Sequence, residues 1–550
     1  MASLTPVSGI LGNHKAAHLL RRSTFGPTRQ DIENFAGKTA SEALTELLQD
    51  QAVPDPPVDP LTGLPWLPVP GDNNSEDSLL FDFFKAWFIE QMRSTGTNLT
   101  ERMTYFYHTH LPADQTLIRN STSLYYQNAL YRFYALGNYK ELFTKVCVDN
   151  AMLVYIDNTL NDYGSPNENY AREMFELYTI GKGPQIGPDD YTHYTEQDVQ
   201  EAARVLTGFR HNFNFNTIDP VTSLPRGDVT LNGQGQAYRH DPGVKTFSEK
   251  FQNTVIQPKT ELMDGGYATE EGVFDELDQL MDMIFSQDET ARFICRKLYR
   301  FFVYYQITQE IEQDIIIPLA DTLRSNNYEI KPVITQLLSS QHFYDMDNAI
   351  TSDDHIGALI KSPLELIMGA FRFFQLDLPT TPSDLYDTAY RQGILNDLEN
   401  QGLNFYTPID VAGYPPYHQM PAYNRNWITP NNLARRYQHI FQLLDGVENA
   451  SNEMTYQLDI VAYVDDSTNI TDPSNPSTLV SELLEFMYTT PVPAERFDYF
   501  LNDILLEGLS PSNWTGEWNF YKSTDDDTGV RPQLEKLIIA IIQTPEYQLF

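Results

Sequence analysis

Two predicted helices between residues 165 and 208 carry carboxylates and arginines at a spacing that suits acid–base chemistry or metal binding. Glu173 and Glu176 are three residues apart, which places them on one face of a helix with Asn169 and Arg172. Two carboxylates one turn apart repel each other unless a cation or an arginine lies between them. The pattern is therefore compatible with a site in which the two glutamates act as acid and base or hold a metal ion.

A divalent metal ion is the cofactor that this pattern suggests, and its identity depends on the ligands. Carboxylate and carbonyl oxygens alone would suit calcium, whereas added histidine nitrogens would suit a transition metal. The arginines of the same motif offer an alternative, because they can neutralise the carboxylates without any metal. The cofactor is therefore left open.

The same two helices also fit an ordinary amphipathic pair. In this interpretation Arg172–Glu176 and Glu201–Arg204 are surface ion pairs, each worth only a few tenths of a kcal/mol. The second interpretation, in which the polar faces meet around carboxylates held by Arg172 and Arg204, requires the two helices to lie side by side.

Capping residues predict where the first helix begins and ends. Ser165 is a suitable N-cap, Pro166 suits the first helical position, Glu168 completes a capping box, and Gly181 ends the helix. The second helix is predicted to begin after the N-cap Thr195 and to end at Gly208. We expect the first helix to bury its apolar face, which contains Tyr170, Met174 and Leu177.

His108 and His110 form a second candidate group. Residues two apart cannot point the same way from a regular α-helix. At a frayed helix end before Pro112, however, the two imidazoles could converge on one ion. Structural roles for both histidines are the alternative.

Two irregular segments contain the remaining candidates. The first, 211–268, contains His240, Asp241 and Lys245, a set that could complete a site beside the helix pair. The second, 401–436, is rich in Pro, Tyr and Asn, and Tyr414 and Trp427 suggest an aromatic rim for stacking a sugar or a peptide. A surface loop pinned by its own aromatic side chains is the alternative. We expect both segments to pack on the side of the signature helices.

The motifs NENYAREMFELYTIGKG and YTEQDVQEAARVLTGF resemble the signature of the domain-of-unknown-function 1800 family of bacterial proteins. The resemblance extends over nearly the whole chain, through the segments HLLRRSTFGPT, ERMTYFYHTHLP, DNAMLVYIDNTLND, HDPGVKTF, IDVAGYPPYHQMPAYNRNWITPNNLARR and QTPEYQLF. The family usually has Gly-Trp where this chain has Gly413-Tyr414, which leaves the ligand of the aromatic rim open.

The resemblance implies no activity, because none is assigned to the family. It implies an exported protein with an extracellular, cell-surface or periplasmic location, and an association with a sulfatase-like protein. Some members carry carbohydrate-binding modules, which implies a polysaccharide or protein partner. The segment MASLTPVSGILGNHKAA lacks the charged and apolar regions of a signal peptide, so export would require a signal that has been removed.

Composition excludes several classes of function. The 550 residues carry a net charge of −38, from 75 acidic and 37 basic residues, which excludes nucleic acid as a partner because this field repels phosphate. No apolar run is long enough for a membrane span, and two cysteines, Cys147 and Cys295, cannot form a disulfide framework. The motifs of nucleotide-binding, dinucleotide-binding, zinc protease and serine hydrolase families are absent.

Helical periodicity on both sides of the two irregular segments predicts a mainly α, multi-helical globular fold with long ordered loops and at most small hairpins. The predicted regions are N-terminal helices (1–50), a Pro-rich arm (51–75), a helical core with the signature (76–210), a loop and hairpin insertion (211–268), a helical region (269–400), an aromatic loop (401–436) and a C-terminal helical region (437–550).

Two functions are compatible with these features. The first is a hydrolase-like enzyme acting on an extracellular or carbohydrate-containing polymer. The second is a non-catalytic surface, scaffold or binding protein in which the same groups form a structural network. A solvent-reached cleft favours the enzyme, and a closed network favours the scaffold. The candidate catalytic residues are Glu173, Glu176, His108, His240 and Asp241, and the candidate substrate-binding residues are Asn169, Arg172, Arg204, Lys245, Tyr414 and Trp427.

Overall fold

Helices make up most of the chain, as the periodicity predicts. The computed structural model describes residues 2–67, 77–347, 355–449 and 451–550. In this part of the chain the only sheets are two-stranded and antiparallel, so the predicted mainly α fold with small hairpins is confirmed. None of the described helices combines the length and the apolar character that crossing a bilayer requires.

Three N-terminal helices begin with well-defined caps: α1 (Gly12–Ser23), α2 (Arg29–Ala36) and α3 (Ala40–Leu47). Thr28 and Thr39 form capping boxes at the starts of α2 and α3. The Pro-rich arm follows and is described as far as residue 67, so residues 68–75 of the predicted arm lie outside the described residues. Trp66 is buried and the indole N–H of Trp87 donates to the carbonyl of Asp55, so the arm lies against the helical core.

Helices of the signature region surround the two motifs. They are α4 (Asp77–Ser94), α5 (Thr100–His110), α6 (Gln115–Ile118), α7 (Ser121–Phe133), α8 (Tyr139–Val146), α9 (Asn150–Tyr155), α10 (Glu168–Glu173) and α11 (Glu196–Val205). A buried ion pair joins α5 to α7, with both Glu101 oxygens accepting from Arg132 at 2.5 and 2.8 Å.

Five short antiparallel strand pairs occur in the described residues, and three of them, β3–β4, β5–β6 and β7–β8, hold the irregular segment 211–268. The paired strands are β1 (Gln185–Gly187) with β2 (Asp190–Tyr191), β3 (Phe209–Arg210) with β4 (Asp228–Val229), β5 (Lys245–Thr246) with β6 (Val255–Ile256), β7 (Met263–Asp264) with β8 (Tyr267–Ala268), and β9 (Val447–Glu448) with β10 (Met454–Tyr456).

The second half of the chain is again helical. Its helices are α12 (Glu270–Phe285), α13 (Asp288–Phe302), α14 (Gln309–Ile311), α15 (Ile317–Ser325), α16 (Ile330–Leu338), α17 (Pro363–Phe373), α18 (Asn396–Asn400), α19 (Pro415–His418), α20 (Pro430–Asp445), α21 (Ile460–Asp465), α22 (Pro476–Met487), α23 (Ala494–Asp498), α24 (Pro511–Thr524) and α25 (Arg531–Ile542).

Wider and tighter helical turns connect or extend these helices. The π-helical segments are Met174–Thr179, Glu312–Ile316, Ser383–Leu395 and Tyr499–Leu505, and the 3₁₀ segments are Asn158–Leu160, Glu249–Phe251, Thr260–Leu262, Tyr423–Trp427 and Glu546–Gln548.

One hydrophobic cluster runs through all of these regions, from Val7 to Tyr547. Cys147 and Cys295 are buried within it as free thiols, and burial raises the pKa of both. They therefore pack as small apolar side chains, as their sequence context predicts.

Gly26 marks the closest backbone approach in the N-terminal region. Its φ is +112°, and a Cβ added there would lie 2.6 Å from the Cα of Gly369 in α17. The turn between α1 and α2 therefore packs directly against the backbone of α17.

We expect Gly26→Ala to destabilise the protein by on the order of 3 kcal/mol, because it adds backbone strain to a clash with a backbone atom. The matched control is Gly37→Ala, since Gly37 has a φ of −79° and open space around its Cβ position. Thermal unfolding measures both variants, and an equal change in Tm for the two would contradict the prediction.

Candidate functional site

The first signature helix begins two residues later than the sequence predicts. Asn167 is the N-cap, and its side chain accepts from the backbone N–H of Asn169. Ser165 does not form the predicted capping box with Glu168, because its own N–H donates to the carbonyl of Asp162 in a turn. The predicted N-cap at Ser165 is therefore wrong, whereas Gly181, with a φ of +75°, ends the helix as predicted.

A π-helical turn replaces regular α-helix directly after Glu173. It spans Met174–Thr179, and the hydroxyl of Thr179 donates to the carbonyl of Met174 at 2.7 Å. Tyr170 and Met174 are fully buried, as predicted, but Leu177 is only half-buried. The wider turn changes the angle between successive residues, so the face computed from 3.6 residues per turn no longer applies after Glu173.

Arg172 joins the two signature helices by pairing with Glu196 and not with the predicted Glu176. The Nη1 and Nη2 atoms of Arg172 donate to the two oxygens of Glu196 in α11, each at 2.6 Å, and Nη2 also contacts Glu168. The predicted Arg172–Glu176 pair is absent from the described contacts. The predicted Glu201–Arg204 pair is present, at 2.5 Å. The two helices therefore lie side by side.

Glu173 is half-buried and makes no hydrogen bond or ion pair with another described residue. Burial, together with the negative charges of Glu176 and Asp410, raises the pKa of its carboxyl group to about 7. Arg172 and Lys182 oppose this shift without cancelling it. The prediction that Glu173 lies within reach of an arginine partner is therefore wrong. Burial and the neighbouring carboxylate of Glu176 have the largest effects on the pKa of Glu173.

Glu176, in contrast, has two partners. One carboxylate oxygen lies 3.3 Å from the ammonium nitrogen of Lys182, and the same oxygen accepts from the hydroxyl of Tyr194 at 3.3 Å. The two glutamates of the motif thus occupy different environments, one paired and one unpaired.

The aromatic loop contacts α9 and the π-helical turn of the signature helix. The hydroxyls of Tyr155 and Tyr178 donate to the carbonyls of Asp410 and Val411, both at 3.4 Å. The carboxylate of Asp410 is exposed and lies 3.5 Å from Nε2 of His418. Asp410 was not identified from the sequence, although it belongs to a segment that resembles the family.

The two histidines of α5 do not converge. Nε2 of His108 lies 3.1 Å from the hydroxyl of Tyr414, and Nε2 of His110 lies 2.8 Å from the hydroxyl of Tyr139. Both histidines belong to the unbroken helix α5, and their rings are buried. Burial lowers the pKa of His108 to about 3. The frayed helix end that a shared ion required is absent, because α5 remains regular up to His110.

A third group of predicted residues forms a closed network behind α11. Arg204 donates to the carboxylate of Asp241 at 2.7 and 3.3 Å, and the ammonium of Lys245 pairs with Glu276 of α12. Nδ1 of His240 lies 3.1 Å from the carbonyl of Thr207. Glu276, which was not identified from the sequence, is fully buried together with Lys245 and His240.

Neither His240 nor His108 is joined to Glu173 by a hydrogen bond or ion pair in the described part of the chain. Asn169 also has a local role, since its side chain donates to the carbonyl of Ile156 at 3.3 Å. Across the described ranges, no three His, Cys, Asp or Glu side chains are grouped so that they could hold a metal ion.

A pocket lies between the aromatic loop and the C-terminal half of α13. Its polar lining includes Lys297, Arg300, His418 and Asn424, and Trp427 lies in its wall. Tyr414 does not line the pocket: it is buried, and its hydroxyl donates to the carbonyl of Asn404. The predicted rim therefore corresponds to Trp427 but excludes Tyr414, which is held by this bond and by His108.

Comparison with known proteins gives one match. The family model described as "Protein of unknown function (DUF1800)" matches residues 18–549. No curated protein and no solved structure was found to be similar to the chain.

The buried pair Lys245–Glu276 provides a test of the closed network. We expect Glu276→Gln to destabilise the protein by on the order of 3–5 kcal/mol, because it leaves the Lys245 ammonium buried without a counter-charge. The control is Asp275→Asn on the same helix, which removes the more exposed pair with Lys259 and should cost less than about 1 kcal/mol. A Glu276→Gln variant as stable as the control in thermal unfolding would overturn the interpretation.

Proposed function

The chain belongs to the DUF1800 family, whose description names no activity, and from the geometry of its site we propose that it is a hydrolase-like enzyme in which Glu173 is the general acid. The proposed substrate is an extracellular or carbohydrate-containing polymer. The observation that carries this proposal is the unpaired, half-buried carboxyl of Glu173, whose pKa is raised to about 7. A carboxyl group in this state holds a proton near neutral pH and can deliver it to a leaving group.

The surroundings of Glu173 support a division of roles between carboxylates. Glu176 is held by Lys182 and Tyr194, and Asp410 is exposed beside His418. In hydrolysis of a glycosidic bond, Glu173 gives its proton to the leaving oxygen as the bond to the anomeric carbon breaks. Water adds to that carbon, and its proton passes to Glu176 or Asp410. Exchange with solvent restores both groups.

The ion pair between Arg172 and Glu196 supports a positioning role for Arg172. Its guanidinium is bound at two atoms, which fixes α10 against α11 and thereby fixes the direction in which Glu173 leaves the helix. Arg172 does not contact the Glu173 carboxylate in the described structure.

We also propose an extracellular, cell-surface or periplasmic location and an association with a sulfatase-like protein. Both rest on the family resemblance. A polysaccharide or protein partner fits the net charge of −38, which leaves neutral and basic partners as the electrostatically acceptable ones.

A non-catalytic scaffold is the second proposal, and the closed network behind α11 favours it. Four of the candidate residues, Arg204, His240, Asp241 and Lys245, have hydrogen-bond or ion-pair partners inside the fold. Under this proposal Glu173 is a half-buried acid without a role in a reaction.

We expect Glu173→Gln to remove a pH dependence of stability. The folded state holds the Glu173 proton up to a pKa of about 7, whereas the unfolded state releases it near the ordinary value of 4.5. Between these values the folded state binds more protons, so stability falls as pH rises from about 4.5 to about 7. The variant should therefore be more stable than the wild type at pH 8 and equally stable at pH 4.

Thermal unfolding of the wild type, Glu173→Gln and the control Glu176→Gln across this pH range provides the measurement. Glu176→Gln removes a paired carboxylate and should not bring the same gain at pH 8. A Glu173→Gln variant that follows the wild-type curve at every pH would contradict the environment assigned to Glu173.

Release of reducing ends from a panel of neutral and acidic polysaccharides tests the enzyme proposal. With a hydrolysed polymer, Glu173→Gln should lower kcat by about 100-fold to 10,000-fold, and the wild-type rate should fall as pH rises through about 7. The control Asp275→Asn, on the surface of α12, should retain wild-type kcat. Hydrolysis that survives Glu173→Gln would refute the role of Glu173, and failure to hydrolyse any polymer on the panel would favour the scaffold.

A further inference from the structure

The pocket behind the aromatic loop has features that the proposed function does not use. It lies between the C-terminal half of α13 and the segment from α19 to Trp427, and a third wall is formed by Leu359, Ile360 and Phe550. It is partly open to solvent and has a volume of about 50 Å³, several times the minimum required for one ordered water molecule. The pocket therefore has room for a polar group of a ligand whose remaining part packs against the lining towards the opening.

Two cations face this pocket without an anionic partner. Lys297 makes no hydrogen bond or ion pair in the described part of the chain, and its ammonium lies 5.3 Å from the ring centre of Phe293. Arg300 donates to the carbonyl of Tyr305 and lies over the ring of Tyr423. Both side chains are partly buried, and a cation withdrawn from water is normally paired because the loss of hydration disfavours its charge.

The side-chain carboxylate that lines the pocket, that of Glu365, is already paired with another residue. Glu365 pairs with the buried guanidinium of Arg102 and accepts from the backbone N–H of Ser362. It therefore does not neutralise Lys297 or Arg300, and these two cations remain without a carboxylate side chain as partner in the described part of the pocket, inside a protein whose total charge is −38.

Asn424 adds an independent observation. Its side chain is about nine-tenths buried and lines the pocket, yet neither its amide nitrogen nor its amide oxygen has a hydrogen-bond partner among the described residues. An unpaired buried amide costs roughly 1–3 kcal/mol. Such a group is expected where a ligand supplies the missing partner.

Aromatic rings form much of the remaining wall. Trp427, Tyr417 and Phe301 line the pocket with Phe106, and the rings of Tyr417 and Trp427 meet edge to face with centroids 6.1 Å apart. Aromatic faces of this kind pack against flat apolar surfaces, either an aromatic ring or the C–H face of a sugar.

We propose that this pocket binds a carboxylate carried on a ring, with the carboxylate against Lys297 and Asn424 and the ring against Trp427 and Tyr417. The ammonium and the amide N–H supply donors to the carboxylate oxygens, and the anion supplies the counter-charge that the fold omits. The overall negative charge of the protein repels anions in general, so a ligand must make these local contacts to bind. This inference does not depend on the role of Glu173.

Binding of benzoate, glucuronate and benzamide to the full chain, measured by calorimetry and by the shift in Tm, tests the proposal. We expect benzoate or glucuronate to bind and to raise Tm, and the neutral isostere benzamide to bind at least tenfold more weakly than benzoate. If benzoate binds more tightly, the preferred ring is aromatic; if glucuronate binds more tightly, it is a sugar ring.

Variants assign any binding to the pocket. Lys297→Met should fold, because it removes an unpaired, partly buried charge, and should weaken binding of the preferred acid at least tenfold. Asn424→Leu should weaken binding by a smaller factor. The control Lys331→Met removes an exposed lysine that pairs with Asp50 and should leave the affinity unchanged.

Three results would overturn the proposal. One is an absence of binding by both acids, another is equal affinity for benzoate and benzamide, and the third is unchanged affinity in both Lys297→Met and Asn424→Leu. Activity on polysaccharides is measured separately, so loss of the enzyme proposal would leave this result unaffected.

Discussion

The guanidinium of Arg22 holds together the parts of the chain on which the candidate pocket depends. It is fully buried, and its Nη atoms donate to the main-chain oxygens of Phe302 at the end of α13, of His355 and of Phe550. Burial lowers the pKa of Arg22 to about 9, because removal from water disfavours the charged guanidinium. The hydrogen bonds to these main-chain oxygens offset that loss of hydration. Because Phe302 follows Arg300 and Phe550 lines the pocket, Arg22 sets the distance between two of its walls.

Differences in burial and pairing separate residues that look alike in the sequence. Glu276 and Glu173 are both glutamates on helices. Glu276 is fully buried and paired with Lys245, whereas Glu173 is half-buried and has no ion-pair partner among the described residues. The first arrangement stabilises a closed network, and the second leaves a proton that solvent can reach. The same contrast exists among lysines, since Lys245 has a carboxylate and Lys297 has none.

Local signals in the sequence predicted much of the fold but only part of the site. The Thr195 N-cap, the Gly181 stop and the burial of Tyr170 and Met174 all follow from short-range rules, and the structure contains each of them. The π-helical turn after Glu173 could not be predicted from a period of 3.6 residues, and it changed the position of Leu177. Lys297 could not be recognised either, because whether a lysine on an amphipathic helix finds a carboxylate depends on residues far away in the chain.

The aromatic loop contributes residues both to the surroundings of Glu173 and to the pocket. Its beginning places Asp410 beside Glu173, where the negative charge favours the protonated carboxyl, and its later residues His418, Asn424 and Trp427 line the pocket. His418 also contacts Asp410 directly. Any displacement of this segment therefore changes the proton affinity of Glu173 and the shape of the pocket together. By thermodynamic reciprocity, an occupant that favours one position of the loop is itself bound more tightly at the pH that favours the same position.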